Sequence, residues 1–453
     1  MTNFPAQPQG SHKMSSHLIQ SALVAALGGL LFGFDTAVIS GTTRALTEVY
    51  SLTTWSLGFT VSAALWGTVL GSIFAGYPAD KYGRRTSLKV LAVLYVLSAI
   101  GCGLALNWSM VVLARFIGGL AIGGSSVIGP MYIAETAPAD KRGRLVGFFQ
   151  FNIVVGILIA YLSNYLIGLQ GWGSSEWRWK LGIAAVPAAA FFLALFRIPE
   201  SPRWLARMGL RKEAREVLAR TGNPNPDQEL QEIVATLHAE RGKQDEPLFQ
   251  KRYAFPIFLA VSIGMFNQMS GINAILYYLN DIFERAGFTG VSSDVRAVGI
   301  GFTNLIFTIV AMSVIDRLGR KKLLLIGAAG TASCLAGVAA VFSTGKHEDL
   351  LVWLLVGFVG FFAFSQGAVI WVYLSEVFPN LVRAKGQSLG SFTHWIMNAM
   401  ISAVFPSLAS GSAAAPFLFF TVMTVVQFIV VLTTYPETKG ITLEGMQQKL
   451  GIK

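Results

Sequence analysis

Charged residues are scarce in this sequence. Lys, Arg, Asp and Glu make up 13% of its 453 residues, whereas hydrophobic residues make up 53%. A soluble domain carries about 25% charged residues. The deficit argues against a soluble core with a single membrane anchor, and it favours an all-α protein that crosses a membrane many times.

Acidic residues and cysteines are also few. The formal net charge is +11, but the basic residues lie in short loops between apolar runs, which indicates a membrane protein rather than a nucleic-acid-binding surface. The two cysteines, Cys102 and Cys334, lie in apolar runs and are interpreted as buried hydrophobes, not as a disulfide or metal site. The sequence shows no nucleophile–base constellation, metal cluster or phosphate loop, so we expect neither an enzyme nor a cofactor.

Long apolar runs, in contrast, are abundant. They predict twelve transmembrane helices, at 18–41, 55–77, 87–106, 110–133, 145–168, 180–198, 253–283, 295–315, 323–343, 350–375, 387–408 and 415–435. The polar gap after the sixth run holds two amphipathic patterns, 211–220 and 227–241, which predict short helices. We therefore expect an N-terminal segment 1–17, a six-helix half 18–200, a helical linker domain 201–252, a second six-helix half 253–435 and a short tail 436–453.

The distribution of Lys and Arg predicts the orientation. They follow the even-numbered runs, whereas the loops after runs 3 and 11 have none. Because basic loops stay inside, we expect a multi-pass protein of the cell (inner or plasma) membrane with both termini and the linker domain in the cytoplasm.

Three patterns recur at nearly one spacing. Asp80–Arg85 recurs 236 residues later as Asp316–Lys321, and Pro199-Glu200 recurs as Pro436-Glu437. Tyr132, Glu135, Pro138 and Arg142 likewise recur as Tyr373, Glu376, Pro379 and Arg383. Such a repeat indicates two related halves with a substrate site between them, near the middle of the membrane.

The repeated charges can latch one half to the other on the cytoplasmic side. The alternative for the basic residues alone is that they only fix the topology. The predicted latch comprises Asp80, Arg84, Arg85, Glu135, Arg142, Glu200, Arg203, Asp316, Arg320, Glu376 and Arg383.

Nine motifs give the sequence a family resemblance over nearly the whole chain, from about Leu18 to Leu443. They are GGLLFGFDTAVISG (28–41), DKYGRR (80–85), RFIGGLAIGG (115–124), YIAETAPADKRGR (132–144), PESPRWL (199–205), QMSGINAILYY (268–278), DRLGRKK (316–322), WVYLSEVFPNLVRAKG (371–386) and PETKG (436–440). With them the chain resembles the sugar porter family of the major facilitator superfamily. The resemblance implies that superfamily's fold, with twelve helices in two halves plus an intracellular helical domain, and transport by alternating access.

Polar and aromatic residues inside the apolar runs predict a sugar site, because sugars need hydrogen-bonding groups and aromatic faces. The candidates are Gln150, Asn267, Gln268, Asn273, Asn304, Trp371, His394, Trp395 and Asn398. Gln268 and Asn273 would not share a face of an ideal helix, but Gly271 between them can break it. For each amide, an interhelical hydrogen bond is the alternative.

The resemblance adds roles to several of these positions. It matches Gln150, Gln268, Asn273, Asn304, Trp371 and Asn398 to the family's sugar contacts. It matches Phe32 to an aromatic lining the cavity, for which ordinary packing is the alternative, and Tyr277 and Tyr278 to an extracellular gate. Asn267, Ile157, His394 and Ala368 depart from the family pattern, so the sugar stays open between a hexose and a pentose, with a glucose-like sugar expected from the family.

Asp35 is the one charge in the first apolar run, and Arg115 lies at a similar depth in the fourth. Equal depth permits a pair that lowers the cost of burying each charge. Proton-driven members of the family have this Asp and Arg, whereas its uniporters have Asn. We therefore expect Asp35 to carry a proton in symport with a monosaccharide, in a protein able to work as a monomer in the bilayer. The alternatives are a static ion pair, an uncoupled facilitator, a sugar-sensing receptor and a drug–proton antiporter.

Overall fold

Helices dominate the part of the chain that the computed structural model describes, namely residues 15–138, 141–241, 246–379, 381–441 and 443–452. The predicted N-terminal segment lies almost wholly outside these residues. The N-terminal half contains α1 (Ser16–Val38), α2 (Thr43–Tyr50), α3 (Thr54–Phe74), α4 (Gly76–Tyr82), α5 (Arg84–Gly103), α6 (Trp108–Thr136), α7 (Arg142–Gly168), α8 (Glu176–Gly182) and α9 (Ala185–Ala194).

The second half repeats this pattern after a helical linker. The linker contains α10 (Pro202–Arg207), α11 (Arg211–Arg220) and α12 (Pro226–Arg241). The C-terminal half contains α13 (Ala254–Met269), α14 (Ile272–Tyr277), α15 (Leu279–Arg285), α16 (Gly290–Leu318), α17 (Arg320–Thr344), α18 (Leu350–Phe364), α19 (Gln366–Glu376), α20 (Arg383–Gly411) and α21 (Ala415–Thr434), and α22 (Leu443–Lys449) follows.

Ten helices among the described residues are long and apolar enough to cross a membrane. Two predicted spans do not meet both conditions, each for a physical reason. The run 180–198 is divided between α8 and α9, and the run 387–408 lies in the 29-residue α20, whose polar residues lower its hydropathy.

The linker helices pack on one another and on the N-terminal half. The two predicted amphipathic helices are confirmed, as α11 and α12. Leu205, Val217, Leu218 and Ile233 form their small apolar core. The indole of Trp204 donates a hydrogen bond to the backbone carbonyl of Asp80 (2.9 Å). We call the side of the molecule on which these helices lie the linker side, and the opposite side the far side.

The sequence repeat is also a structural repeat. Gly83 and Gly319 have φ values of +93° and +90° and end α4 and α16. A Cβ at either position would lie within 2.6 Å of a carboxylate oxygen, of Glu200 or of Glu437. Both turns therefore need glycine.

The same two carboxylates cap the helices that begin after the glycines. Glu200 accepts from the backbone N–H of Arg84 (2.9 Å), and Glu437 accepts from that of Arg320 (2.9 Å). Burial raises the pKa of Glu437, but backbone N–H groups including those of Lys439 and Arg320 outweigh it and hold the pKa below its usual value.

The predicted latch between the halves stays a prediction, since in this conformation the charge networks around Arg84 and Arg320 each close within their own half. The guanidinium of Arg84 contacts Glu135 at 2.8 Å, and that of Arg320 contacts Glu376 at 2.9 Å. Asp80 and Asp316 pair with the arginine four residues later in each case. These short-range partners satisfy the charges.

The remaining predicted latch residues lie nearby. The guanidinium of Arg85 donates to the Ile198 carbonyl, and that of Arg383 donates to the Phe378 carbonyl. Arg142 is exposed at the start of α7, and Arg203 is partly buried on α10. Arg85 and Arg142 therefore lie in the N-terminal half, Arg203 lies in the linker beside it, and Arg383 lies in the C-terminal half.

The two halves meet instead on the far side. Thr43 donates to Asp281 at 3.0 Å, and the hydroxyls of Thr54 and Ser407 are 3.3 Å apart. A Cβ added to Gly58 on α3 would lie 1.9 Å from the carbonyl oxygen of Ala403 on α20, so these helices touch backbone to backbone. The conformation is therefore closed on the far side.

Candidate functional site

A broken helix positions the central amides. α13 ends at Met269, Gly271 adopts φ +82°, and α14 begins at Ile272. A Cβ on Gly271 would lie 2.3 Å from the ring of Phe420. The predicted break at Gly271 is thus confirmed, and both conformation and space require glycine there.

The break lets side chains from both helical pieces converge. The amide of Asn273 donates to Gln268 Oε1 (3.1 Å), and the amide of Gln268 donates to Asn267 Oδ1 (3.0 Å). Gln268 Nε2 also lies 3.2 Å from His394 Nδ1 on α20. Gln268 and Asn267 are buried, so the chain of amides lies in the interior of the C-terminal half.

Aromatic rings extend from this chain towards the N-terminal half. His394 lies 5.2 Å from Trp371 and 5.0 Å from Trp395, measured between ring centroids. Trp395 packs edge-on against Phe32 of α1 at 5.2 Å. The side chains of Trp371 and Phe32 keep some exposed surface, so the rings can present apolar faces to a ligand.

Gln150 and Asn304 take a different position. They lie on α7 and α16, both partly buried, and neither is hydrogen-bonded to the chain of amides, all of whose members are described. Each helix contributes to its own half, so these two residues face a common ligand only if it spans the halves.

Sequence reasoning missed Gln366 at the start of α19. Its side chain is 1% exposed, both of its polar atoms lack a hydrogen-bond partner among the described residues, and its carbonyl accepts from Asn267 at 3.4 Å. A buried amide without partners is costly. The only sequence signal was a glutamine inside an apolar run.

The two tyrosines after the break connect the amides to the far-side closure. Tyr277 accepts a hydrogen bond from Asn398 (3.2 Å), and Tyr278 donates to the Ser402 carbonyl (3.0 Å). Tyr161 of the N-terminal half donates to the Leu276 carbonyl beside them (3.0 Å). Both tyrosines are buried between the amides and the far-side contacts of the two halves, so their role as a gate stays a prediction.

Asp35 and Arg115 line a small cavity together with Tyr277. Arg115 Nη2 is 3.7 Å from Asp35 Oδ2, and the Asp35 side chain is 20% exposed against 3% for Arg115. Arg115 also donates to the backbone carbonyls of Thr60 (3.1 Å) and Val61 (3.4 Å). The guanidinium therefore has further partners of its own, while the carboxylate is the more accessible member of the pair.

A small cavity of about 10 Å³ joins these groups. Its lining includes Asp35, Arg115, Phe32 and Thr36 of the N-terminal half and Tyr277 of the C-terminal half. Such a volume holds about one water molecule. The carboxylate is thus separated from the sugar-site candidate Asn398 by one tyrosine.

Comparisons with known proteins agree with this architecture. The sequence model of the family described as "Sugar (and other) transporter" matches residues 21–450. The arabinose-proton symporter of Bacillus subtilis (strain 168) is 37% identical over 451 residues, 98% of this chain and 97% of that protein.

Solved structures also match. The partially occluded, inward-open conformation of the xylose transporter XylE from E. coli matches with a TM-score of 0.85 at 34% identity, covering 94% of this chain and 100% of that one. The major facilitator superfamily proton:xylose symporter XylE bound to 6-bromo-6-deoxy-D-glucose matches with a TM-score of 0.78 at 34% identity, covering 96% and 99%. The present conformation, closed on the far side, is nearer to the former.

Proposed function

Since this chain belongs to the sugar transporter family, whose members are transporters and not enzymes, we propose that it is a proton-coupled monosaccharide symporter in which Asp35 carries the proton. The observation that carries the proposal is the position of Asp35. A carboxylate in a membrane segment is expensive and marks a functional site by default. This one faces Arg115 in a cavity whose wall, Tyr277, is hydrogen-bonded to Asn398.

The pair supports a simple coupling scheme. When Asp35 is ionised, Arg115 compensates its charge. When Asp35 is protonated, Arg115 keeps its bonds to the Thr60 and Val61 carbonyls, so the neutral form leaves no orphaned guanidinium. Protonation thereby permits the rearrangement that closes one side of the molecule and opens the other. Sugar bound at the amides stabilises the same rearrangement.

The membrane potential adds to the driving force. A proton that enters the cell gains about 2.3 kcal/mol per 100 mV. In the proposed orientation the far side is extracellular, and the linker side with both termini is cytoplasmic, in the cell membrane. One chain contains both halves and the whole site, so a monomer in the bilayer suffices.

The proposed substrate is a hexose or pentose. The site candidates offer amides to hydroxyl groups and rings to C–H faces, which suits a monosaccharide. Matched relatives are named for arabinose and xylose. A glucose-like sugar is therefore tested beside both pentoses in one uptake panel.

The test is sugar uptake into proteoliposomes with and without an imposed pH gradient. We expect Asp35→Asn to equilibrate sugar but not to concentrate it, because the amide cannot carry a proton. Asp349→Asn, an exposed carboxylate at the start of α18, is the matched control and should concentrate sugar like the parent. If Asp35→Asn still accumulates sugar against its gradient, Asp35 is not the carrier. If the parent only equilibrates sugar, the protein is an uncoupled facilitator.

A further inference from the structure

A buried ion pair joins the two halves on the far side. Lys180 at the end of α8 and Asp294 at the start of α16 bring Nζ and Oδ2 to 3.2 Å. Both side chains are 4% exposed. Two opposite charges from different halves are thus removed from water together.

Further groups surround both charges. Lys180 Nζ also contacts Glu176 Oε1 (2.7 Å) and donates to the Gly41 carbonyl (3.3 Å). Asp294 Oδ1 accepts from the amide of Asn280 (2.5 Å). This coordination fills the ammonium's donors and engages both oxygens of the Asp294 carboxylate, which is the condition under which a buried pair is tolerated.

The helix packing leaves room for the pair. A Cβ on Gly168 of α7 would lie 3.0 Å from Asp294 Oδ2, so the carboxylate approaches the N-terminal half at a glycine. Asp294 therefore inserts into the other half instead of lying at its rim.

A second pair between the halves provides an internal comparison. Arg44 Nη1 lies 3.3 Å from Glu284 Oε2, but these side chains are 66% and 21% exposed. Exposed pairs contribute little, because water solvates both partners whether or not they meet. Only the buried pair can distinguish strongly between an open and a closed far side.

We propose that Lys180 and Asp294 are positioning residues of the transport cycle, whose ion pair must form whenever the far side closes and break whenever it opens. The proposal rests on the proposed function, since symport requires that the far side open. When it opens, water reaches both charges. When it closes, each charge depends on the other.

The pair is also connected to the helix that carries the proposed proton site. Gly41, whose carbonyl accepts from Lys180, ends the short 3-10 turn Ile39–Gly41 that directly follows α1. Asp35 lies in the last turns of α1. A change in α1 therefore reaches the closure of the far side through one hydrogen bond.

Removing one charge should oppose closure. In Lys180→Met, the closed state buries Asp294 with an amide partner only, whereas the open state hydrates it. We expect the far-side-open population to rise about tenfold or more. Asp294→Asn should shift it less, because Glu176 still pairs with Lys180. The double variant Lys180→Met/Asp294→Leu buries neither of these two charges and should return towards the parent distribution.

The experiment measures the distance between the halves without sugar or a proton gradient. Spin labels are placed at Val49→Cys on α2 and Val291→Cys on α16, both exposed, in full-length protein with Cys102→Ala and Cys334→Ala, and read by double electron–electron resonance in nanodiscs. We expect long distances to be more frequent in Lys180→Met than in the parent, and less frequent in the double variant than in Lys180→Met. The matched control Lys346→Met, which removes an exposed lysine, should give the parent distribution.

A distribution in Lys180→Met equal to the parent's overturns the proposal. Should that variant fail to fold, Asp294→Asn serves instead, and an unchanged distribution in it has the same consequence. Uptake then separates a structural role from a positioning role, since an enlarged open population lowers the KM for sugar added on the far side together with kcat. If sugar uptake by the parent is not coupled to protons, the proposed function is wrong, but the distance result is unaffected.

Discussion

At the scale of single residues, the unusual feature is a carboxylate in an apolar helix. A charge at the centre of such a helix costs about 2.5–3.5 kcal/mol on insertion scales. Arg115 lies 3.7 Å away and keeps two backbone carbonyls as further partners. Arg115 therefore compensates the charge of ionised Asp35 and keeps two backbone partners if the pair separates, which is compatible with the proposed proton carrier.

Asp281 gives a pH prediction. Burial raises its pKa to about 7 in this far-side-closed conformation, and its carboxylate accepts from Thr43 of the other half. Arg44, Arg285 and Glu284 are the charged groups that act on it. Because an open far side would hydrate Asp281 and lower its pKa, protons favour closure.

We therefore expect the ratio of far-side-closed to far-side-open molecules to fall as the pH rises from about 5 to about 8, by almost a hundredfold if Asp281 has its ordinary pKa in the open state. The spin-label distance between positions 49 and 291 measures it. Asp281→Asn should remove this part of the pH dependence, whereas Glu48→Gln, an exposed carboxylate on the same side, should not. If the closed population of Asp281→Asn still changes with pH in the same way, another group is responsible for the pH dependence.

Single residues show where prediction from sequence ends. Asp35, Arg115 and the amides were recognisable because a polar residue in an apolar run needs a reason. Pairs that only the fold brings together were harder to recognise in the sequence. Lys180 and Asp294 are separated by 114 positions and lie near the ends of apolar runs, where charges are ordinary. Only the packing of the halves makes them a buried pair.

At the scale of elements, the break between α13 and α14 shapes the site. It turns a membrane-length apolar run into two helical pieces, so that Gln268 and Asn273 hydrogen-bond each other. Without it, their spacing would place them on different faces.

Gly271→Ala tests this element. Alanine at φ +82° is strained, and its Cβ would lie 2.3 Å from the Phe420 ring, so we expect a loss of about 2 kcal/mol or more in stability, together with impaired uptake. Thermal unfolding in detergent measures the first. The matched control is Gly299→Ala on α16, where a Cβ meets nothing within 4 Å. Equal melting temperatures for the two variants would contradict the account.

Elements were predicted unevenly, for physical reasons. The bounds of α11 match the predicted helix because its amphipathic pattern is short and lies between Gly209 and Gly222, which both adopt positive φ. The division of the sixth run between α8 and α9 was missed. Pro187, the third residue of α9, has no N–H to bond the carbonyl of Ile183, so a continuous helix is interrupted just before it; this proline was the sequence signal.

At the scale of the whole molecule, two similar halves close on the far side. Each half satisfies its own linker-side charges, through Arg84 with Glu135 and through Arg320 with Glu376. The repeat in the sequence predicted the two halves. It could not predict which side is closed, because one sequence must encode every state of the cycle.

A bridge across the far side should arrest the cycle. The hydroxyls of Thr54 and Ser407 lie 3.3 Å apart on different halves, so cysteines there should bind Cd²⁺ and block uptake of sugar added on the far side. Thr53→Cys/Ser56→Cys is the control, since these hydroxyls are 3.1 Å apart within one half. Uptake, with and without a chelator, is measured in the background lacking Cys102 and Cys334. Undiminished uptake with Cd²⁺ bound between 54 and 407 would show that the far side need not open.

The most direct test of proton-coupled sugar transport uses sugar as the only driving force. Proteoliposomes at equal internal and external pH receive a sugar pulse while a dye reports the external pH. Proton symport predicts that the medium becomes alkaline as sugar enters, and that Asp35→Asn passes sugar without this change. Entry of sugar into parent vesicles at constant external pH would contradict it.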